Sequence, residues 1–276
     1  MISAIRVGAV IYDPKVTVIW DIIKDFFGEQ SVPMDCVFYT NYELMVEALL
    51  TGHIHIAWNS PLAWIDALRR SGGACRAIAM RDTDRDRVTH IIARRGGGIE
   101  NVADLRGKTL ATGAKDSPQA TLLPIHLLHE HGLEPVRDFT VRRHDLMVGK
   151  HGDHVGGELE ALKSLIVGES EAAAVLDLNW ERWAQDGTAS PNDLQVLAST
   201  GPFDHCNFTV LEAFPREDEE RWLEALYKMS YDNPLHREMM DMEGLKAWLP
   251  GRTSGYRDLT AAVEEQHFFS GLRTED

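Results

Sequence analysis

The sequence predicts an α/β fold in two lobes, and three features carry that expectation. Apolar runs of strand length alternate with segments whose apolar residues recur at i, i+3, i+4 and i+7, the order of a βαβ sheet. The stretch Arg81-Asp-Thr-Asp-Arg-Asp-Arg87 is polar and turn-rich, and extended residues follow it, so the chain is expected to leave one lobe near this point. Predicted strands also run into helices opened by a capping residue and a proline, at Asp13-Pro14, Ser60-Pro61 and Ser117-Pro118.

The elements follow in order. Ile5 to Val10 reads as a strand, and a helix with the apolar face Val16, Ile19, Trp20, Ile23, Phe26 and Phe27 comes next, with Gly28 predicted to close it. Cys36 to Tyr39 is a strand, Thr40-Asn-Tyr-Glu43 reads as a capping box, and the helix it opens ends at Gly52. His53 to Trp58 is a third strand and Arg76 to Met80 a fourth, with a helix between them through Arg70. The second lobe holds strands at Thr109 to Thr112, Phe139 to Arg142 and Ala172 to Asp177, with helices from Ser117 to His131 and from Leu159 to Val167. The extended stretches 88–94 and 194–200 are predicted to cross between the lobes, and Asn207 to Leu211 is one more strand. Helices are predicted at Glu217 to Met229, Leu235 to Met240, Gly244 to Leu249 and Leu259 to Phe268. The glycines Gly96 to Gly98 sit in no phosphate-loop spacing and read as a surface turn.

Composition narrows the chemistry. The chain has 276 residues, 44% of them hydrophobic, enough to bury a substantial core. With 28 basic residues against 43 acidic ones, the net charge of -15 argues against nucleic acid as a partner, because phosphate-backbone binding draws on clustered Lys and Arg. Cys36, Cys75 and Cys206 have no CxxC spacing and read as buried thiols, so neither a disulfide framework nor a structural zinc site is expected. Met1 runs directly into strand residues with no basic or apolar leader, which makes a cytoplasmic location the expectation. No apolar run approaches the roughly 20 residues of a spanning helix.

The repeated cap-proline openings place helix N-termini at the carboxyl ends of strands, where ligands bind in open α/β sheets. Unpaired backbone N–H groups and the positive end of the helix dipole attract an anion there whatever the net charge. Specific motifs then accumulate. Arg6-Val-Gly8 with Tyr12-Asp-Pro14 and Tyr42-Glu-Leu-Met-Val-Glu-Ala-Leu49 are followed by Gly52-His-Ile-His-Ile-Ala-Trp-Asn-Ser-Pro-Leu-Ala63. Asp104-Leu-Arg-Gly-Lys108, Ser117-Pro-Gln-Ala-Thr-Leu-Leu-Pro124 and Gly168-Glu-Ser-Glu-Ala-Ala-Ala-Val175, closed by Asp177, come after in order. Together these resemble the phosphonate-type (phosphate, phosphite and phosphonate) solute-binding proteins of ABC transporters.

The resemblance implies a two-lobed, type II periplasmic-binding-protein fold with two interlobe crossing strands. It implies lobe 1 as residues 1–90 plus 200–276, lobe 2 as 91–199, and a small anionic or zwitterionic ligand in the cleft. The chain departs from the family in several places. Gln119 and Ala120 replace the second serine and the glycine of a Ser-x-Ser-Gly turn, His55 replaces an acid, Asn59-Ser60 stands where a glycine usually precedes the proline helix, and Gly156-Gly157-Glu158 replaces Gly-Ser-His. The ligand residues expected are Tyr12, Trp58, Asn59, Ser60, His90, Ser117, Gln119, Glu158, Asp177 and His205. Ser60 and Ser117 would hold the anionic end, Glu158 and Asp177 a positive group, and Tyr12 and Trp58 would wall the pocket. A transporter permease is the implied partner if the protein is exported.

Other residues have ordinary explanations. His126, His129, His131, His151 and His154 follow no established ligand spacing, and no metal or cofactor is expected. Asp204-His205-Cys206 are sequence neighbours whose side chains would alternate on an extended chain, so they are not expected to act together. The acidic run Glu217 to Glu220 suits a helix N-terminus. Two functions remain: a binding protein that closes on its ligand, and an enzyme of lyase or decarboxylase type using His90, Glu158 or His205 as acid or base. Fold does not decide between them.

Overall fold

A computed structural model describes residues 2–152 and 156–271. The strands are β1 (Ile5–Val10), β2 (Met34–Tyr39), β3 (Ile56–Asn59), β4 (Cys75–Arg81), β5 (Thr89–Arg94), β6 (Thr109–Thr112), β7 (Thr140–Arg143), β8 (Ala172–Leu176), β9 (Leu194–Ser199), β10 (Asn207–Leu211) and β11 (Trp248–Pro250). The helices are α1 (Lys15–Glu29), α2 (Tyr42–Leu50), α3 (Pro61–Arg70), α4 (Leu123–Glu130), α5 (Glu158–Ile166), α6 (Asp177–Asp186), α7 (Arg216–Leu226), α8 (Pro234–Glu243), α9 (Arg257–Glu265) and α10 (Phe268–Gly271). They form two units: Met1–Arg85 with Asp204–Ser254, and Asp86–Phe203 with Gly255–Asp276.

The first unit is built on a six-stranded sheet of order β11-β4-β10-β3-β1-β2. β1 pairs parallel with β2 and β3, whereas β10 runs antiparallel between β3 and β4. β10 thus joins the late part of the chain to the first. Its Phe208 packs against Trp222 of α7 at 4.8 Å and against Trp58 at 4.5 Å, and Phe27 of α1 stacks on Trp222 at 5.2 Å. The apolar face predicted for α1 is buried in this core.

The second unit has a five-stranded sheet of order β7-β6-β8-β5-β9. Successive residues of its strands feed opposite faces, as the period of a strand requires. Ile91, Leu110 and Ala172 pack on one side with Leu127 and Leu128, while their neighbours Ile92, Ala111 and Ala173 pack on the other with Leu162 and Leu165. Burial on both faces accounts for the uninterrupted small apolar run of β8.

Several boundaries differ from the sequence-based expectation. The segment 200–276 is not all in the first unit, because 255–276 belongs to the second. Its buried Leu259, Ala262 and Val263 give α9 an apolar face, His126 Nδ1 lies 2.8 Å from Glu265 Oε2, and Gln266 Nε2 donates to Leu122 O at 2.9 Å. β5 and β9, expected as crossings, pair with each other inside the second unit's sheet, and the chain changes unit at 85/86, 203/204 and 254/255. Gly28 lies within α1, and the left-handed turn beyond the helix falls to Ser31 at φ 58. Asn41, not Thr40, caps α2, its side chain accepting from Leu44 N at 2.9 Å. Pro14 occupies the cap position of α1, and the Asp13 carboxylate accepts from Lys15 N instead. Trp248 and Leu249, expected as the end of a helix over Gly244 to Leu249, form with Pro250 an edge strand on β4, and α6 follows β8 without an intervening loop.

Candidate functional site

In the first unit the site residues lie where β1 and β3 end. Ser60 is fully buried and caps α3, its Oγ accepting from Ala63 N at 3.1 Å with Pro61 in the first helical turn. Asn59 is also fully buried; its Nδ2 donates to Thr209 Oγ1 at 2.9 Å, and that hydroxyl donates on to Asn207 Oδ1 at 2.7 Å. Fixed by this chain, Asn59 keeps its Oδ1 without a hydrogen-bond partner among the described residues. Tyr12 is half-buried against the same core. Trp58 belongs to the core itself, packed on Phe208 and Trp248 with the Arg81 guanidinium 5.2 Å from its ring centre.

His205 lies elsewhere in this unit, beside Asp84 at 3.6 Å and Cys206 Sγ at 3.1 Å. The side chains of His205 and Cys206 therefore meet, contrary to the alternation expected of them, because residues 204–206 lie outside any strand. Asp204 turns instead to Arg252, which forks onto it at 2.6 and 2.5 Å. Asp84 is buried, which alone would raise its pKa, but the charge and hydrogen bonds of Arg81 outweigh burial and hold the carboxyl down to about 2.

In the second unit a loop after β6 leads to Ser117, whose Oγ accepts from Ala120 N at 3.1 Å. The helix opens as a wide π-turn over Pro118–Leu122, with Leu122 N donating to Ser117 O at 3.0 Å. Pro124 leaves a carbonyl open on this turn. A residue with an N–H at 124 would bond the Ala120 carbonyl, but proline has none, and Gly113 N takes that carbonyl at 3.1 Å instead. The loop is thereby fastened to its own helix. Ala114 N donates to Gly156 O at 2.9 Å and Lys115 N to Asp145 Oδ1 at 2.7 Å, which brings the segment ahead of α5 onto the same loop. Glycine permits this approach: a Cβ on Gly113 would come within 2.5 Å of Gly156 O, and one on Gly152 would overlap the Ser117 hydroxyl.

Two buried acceptors end beside this helix opening. Gln119 Nε2 donates to Gly152 O at 2.8 Å, which leaves its Oε1 with no partner among the described residues. Asp116 Oδ2 accepts from Gly149 N at 2.6 Å and His151 N at 3.3 Å, and its Oδ1 has no described partner. Asp116 was not among the sequence-predicted residues, although its place directly before the capping serine was a usable signal. His154, by contrast, lies outside the described residues.

The remaining predicted residues are committed to other groups. Glu158 is fully buried, and its Oε2 accepts from Leu176 N at 2.8 Å and Asn179 Nδ2 at 2.9 Å, stitching the start of α5 to the β8–α6 junction. Asp177 opens α6 and lies 3.4 Å from Arg87 Nη1, a pairing the sequence did not suggest. His90 Nδ1 is 2.8 Å from Ser199 Oγ, and burial lowers its pKa against the opposing pull of Asp177 and Glu181. His126 and His129 both approach Glu265, at 2.8 and 3.7 Å, as part of the α4–α9 contact.

Comparison with known proteins gives these arrangements a family. PhnD1 from Prochlorococcus marinus in complex with methylphosphonate has a TM-score of 0.69 at 15% identity, covering 96% of this chain and 98% of that one. XAC2383 from Xanthomonas citri bound to ATP has a TM-score of 0.73 at 18% identity over 96% and 98% of the two chains. The periplasmic aliphatic sulphonate binding protein SsuA from Escherichia coli has a TM-score of 0.58 at 14% identity, covering 99% of this chain and 88% of that one. These likenesses carry the fold, a mixed α/β fold of the type II periplasmic-binding-protein kind. An uncharacterized protein of Haemophilus influenzae is 61% identical over 31 residues, so the match takes in 11% of this chain and 44% of that relative. Residues 12–256 match the family described as the phosphonate ABC transporter's periplasmic substrate-binding protein, and the chain belongs to that family.

Proposed function

We propose that this chain is a solute-binding protein for a small phosphonate-class ligand that carries hydrogen-bond donors as well as negative charge. One observation carries the finer part: two buried acceptors, Asp116 Oδ1 and Gln119 Oε1, have no partner among the described residues and flank a capped helix N-terminus. The helix opening favours an oxyanion. The two acceptors then ask for donors from the ligand, because a buried acceptor left unmet costs stability. An aminophosphonate or another zwitterion offers both, and so does a phosphonate that retains one proton. Methylphosphonate and ATP, the ligands of the similar proteins, are the natural comparison compounds. A permease partner follows from the family and is part of the same proposal.

Calorimetric titration with 2-aminoethylphosphonate, methylphosphonate, inorganic phosphate and ATP tests it. The aminophosphonate is expected to bind most tightly, and D116N is expected to weaken it by about 1.5–3 kcal/mol, the range for a charge-assisted hydrogen bond. Affinity for methylphosphonate should change less. No binding by any of the four compounds would overturn the proposal. Asp177 has a separate test: if D177N leaves aminophosphonate affinity unchanged, its carboxylate serves Arg87 and Leu178 N and not the ligand.

A further inference from the structure

Asp116, Ser117 and Gln119 converge on one short segment, residues 149–152, at the helix opening of the second unit. Asp116 Oδ2 accepts from Gly149 N and His151 N, and Gln119 Nε2 donates to Gly152 O at 2.8 Å. Ser117 meets the same segment: a Cβ on Gly152 would stand 2.1 Å from Ser117 Oγ and 3.0 Å from Gln119 Nε2. The amide head of Gln119 is therefore folded back beside the hydroxyl that caps the helix, although its own backbone lies in the first turn. That amide has a fixed polarity. The Gly152 carbonyl can only accept, so the nitrogen faces it and Oε1 remains as an acceptor. Gln119 is 2% exposed, and Oε1 has no hydrogen-bond partner among the described residues.

An acceptor in that place sorts oxyanions by their protons. A helix N-terminus attracts any oxyanion. A fully ionised head sets lone pairs against Oε1 and leaves it unmet, whereas a head that keeps one O–H donates to it. A sulfonate loses its single acidic proton far below neutral pH. A phosphonate keeps a second, which is lost near neutrality, as it is from phosphorylated side chains at about pH 6. We propose, resting on the solute-binding reading, that Gln119 is the specificity residue by which this site selects hydrogen phosphonates, with one proton retained, against sulfonates of the same shape. The two buried acceptors then read two different groups. Gln119 Oε1 takes the acid proton of the head, and Asp116 Oδ1 takes the ammonium of an aminophosphonate.

The test compares 2-aminoethylphosphonate with taurine, which has the same aminoethyl chain and a sulfonate head. Calorimetric titration into the full chain at pH 6 reads the affinities. The wild type is expected to bind the phosphonate about ten- to a hundredfold more tightly than taurine. Q119M removes the acceptor and keeps the length of the side chain. It is expected to weaken the phosphonate, leave taurine nearly unchanged, and so bring the ratio down about tenfold. Titration at pH 8 in buffers of different ionisation enthalpy counts protons: about one should be taken up with the phosphonate and none with taurine. Loss of both ligands alike in Q119M would make Gln119 a support for Gly152 and overturn the filter. Equal wild-type affinities, or a phosphonate bound without proton uptake, would overturn it too. The proton count needs no variant, so it decides even if Q119M fails to fold. Equal binding of the two ligands would leave the solute-binding reading standing, whereas no binding of either ligand or of methylphosphonate would remove both.

Discussion

At the scale of single residues, the positions that matter are those whose polar atoms have one fixed bond and one open capacity. Asn59 and Gln119 are built alike: an amide nitrogen tied to a neighbour, at 2.9 Å to Thr209 Oγ1 and at 2.8 Å to Gly152 O, and an oxygen with no described partner. The Gly152 carbonyl can only accept, which settles which way the Gln119 amide faces. Glu158 shares part of this pattern, since its bonds to Leu176 N and Asn179 Nδ2 both fall on Oε2. Those bonds close a junction between secondary elements, so loss of Glu158 is expected to act on stability. E158A leaves a buried backbone N–H unmet and should lower unfolding free energy by about 1–3 kcal/mol, measured by urea denaturation. Ligand affinity per folded molecule should change little. A variant of wild-type stability that no longer binds would return Glu158 to the ligand. The caps at Ser60 and Ser117 were legible because cap-proline spacing is local. Arg87 was not legible as the partner of Asp177, because that contact joins residues far apart in the chain.

At the scale of elements, proline and glycine decide the shape of the second unit's helix opening. Pro118 and Pro124 both lack N–H groups, the ladder widens to a π-turn, and the carbonyl at Ala120 becomes available to Gly113. P124A restores a competitor for that carbonyl. Hydrogen exchange at the Gly113 amide is expected to speed up and ligand binding to weaken, while global stability shifts by less than about 1 kcal/mol. Unchanged exchange at Gly113 would show that the loop is held by its other bonds alone. The sequence announced a helix at Ser117 but not this register shift, since periodicity reports which face is buried and not which carbonyl is taken. The same limit explains residues 248–250. Three residues are too few to display a period, and pairing with β4 makes them a strand.

At the scale of the whole molecule, the alternation of strands and helices was legible because each unit's sheet imposes its period on its own residues. The division of the C-terminal segment was not, because it depends on polar contacts from α9 and its flank to α4 that no local pattern encodes. The charge distribution predicts how both units respond to acid. Burial lowers the pKa of His55 in the first unit and of His90 and His144 in the second. A histidine whose folded pKa is depressed binds fewer protons folded than unfolded, so stability should fall as pH drops below about 6.5. Asp84 adds a second limb. Its folded pKa is held to about 2 by Arg81, and its contribution is present above the unfolded carboxylate value and lost as pH falls from about 4 toward 2. Unfolding free energy measured in guanidinium from pH 8 to pH 3 should therefore be level above pH 7, decline through the histidine range, and decline again below pH 4. D84N removes one of the two carboxylates that Arg81 pairs with and leaves it Glu243 at 3.1 Å, so it should be less stable at pH 7 by about 1–3 kcal/mol and should lose most of the lower limb. A D84N profile that keeps the full decline below pH 4 would move that limb to other carboxylates, and a wild-type profile flat from pH 7 to pH 5 would remove the histidines from the account.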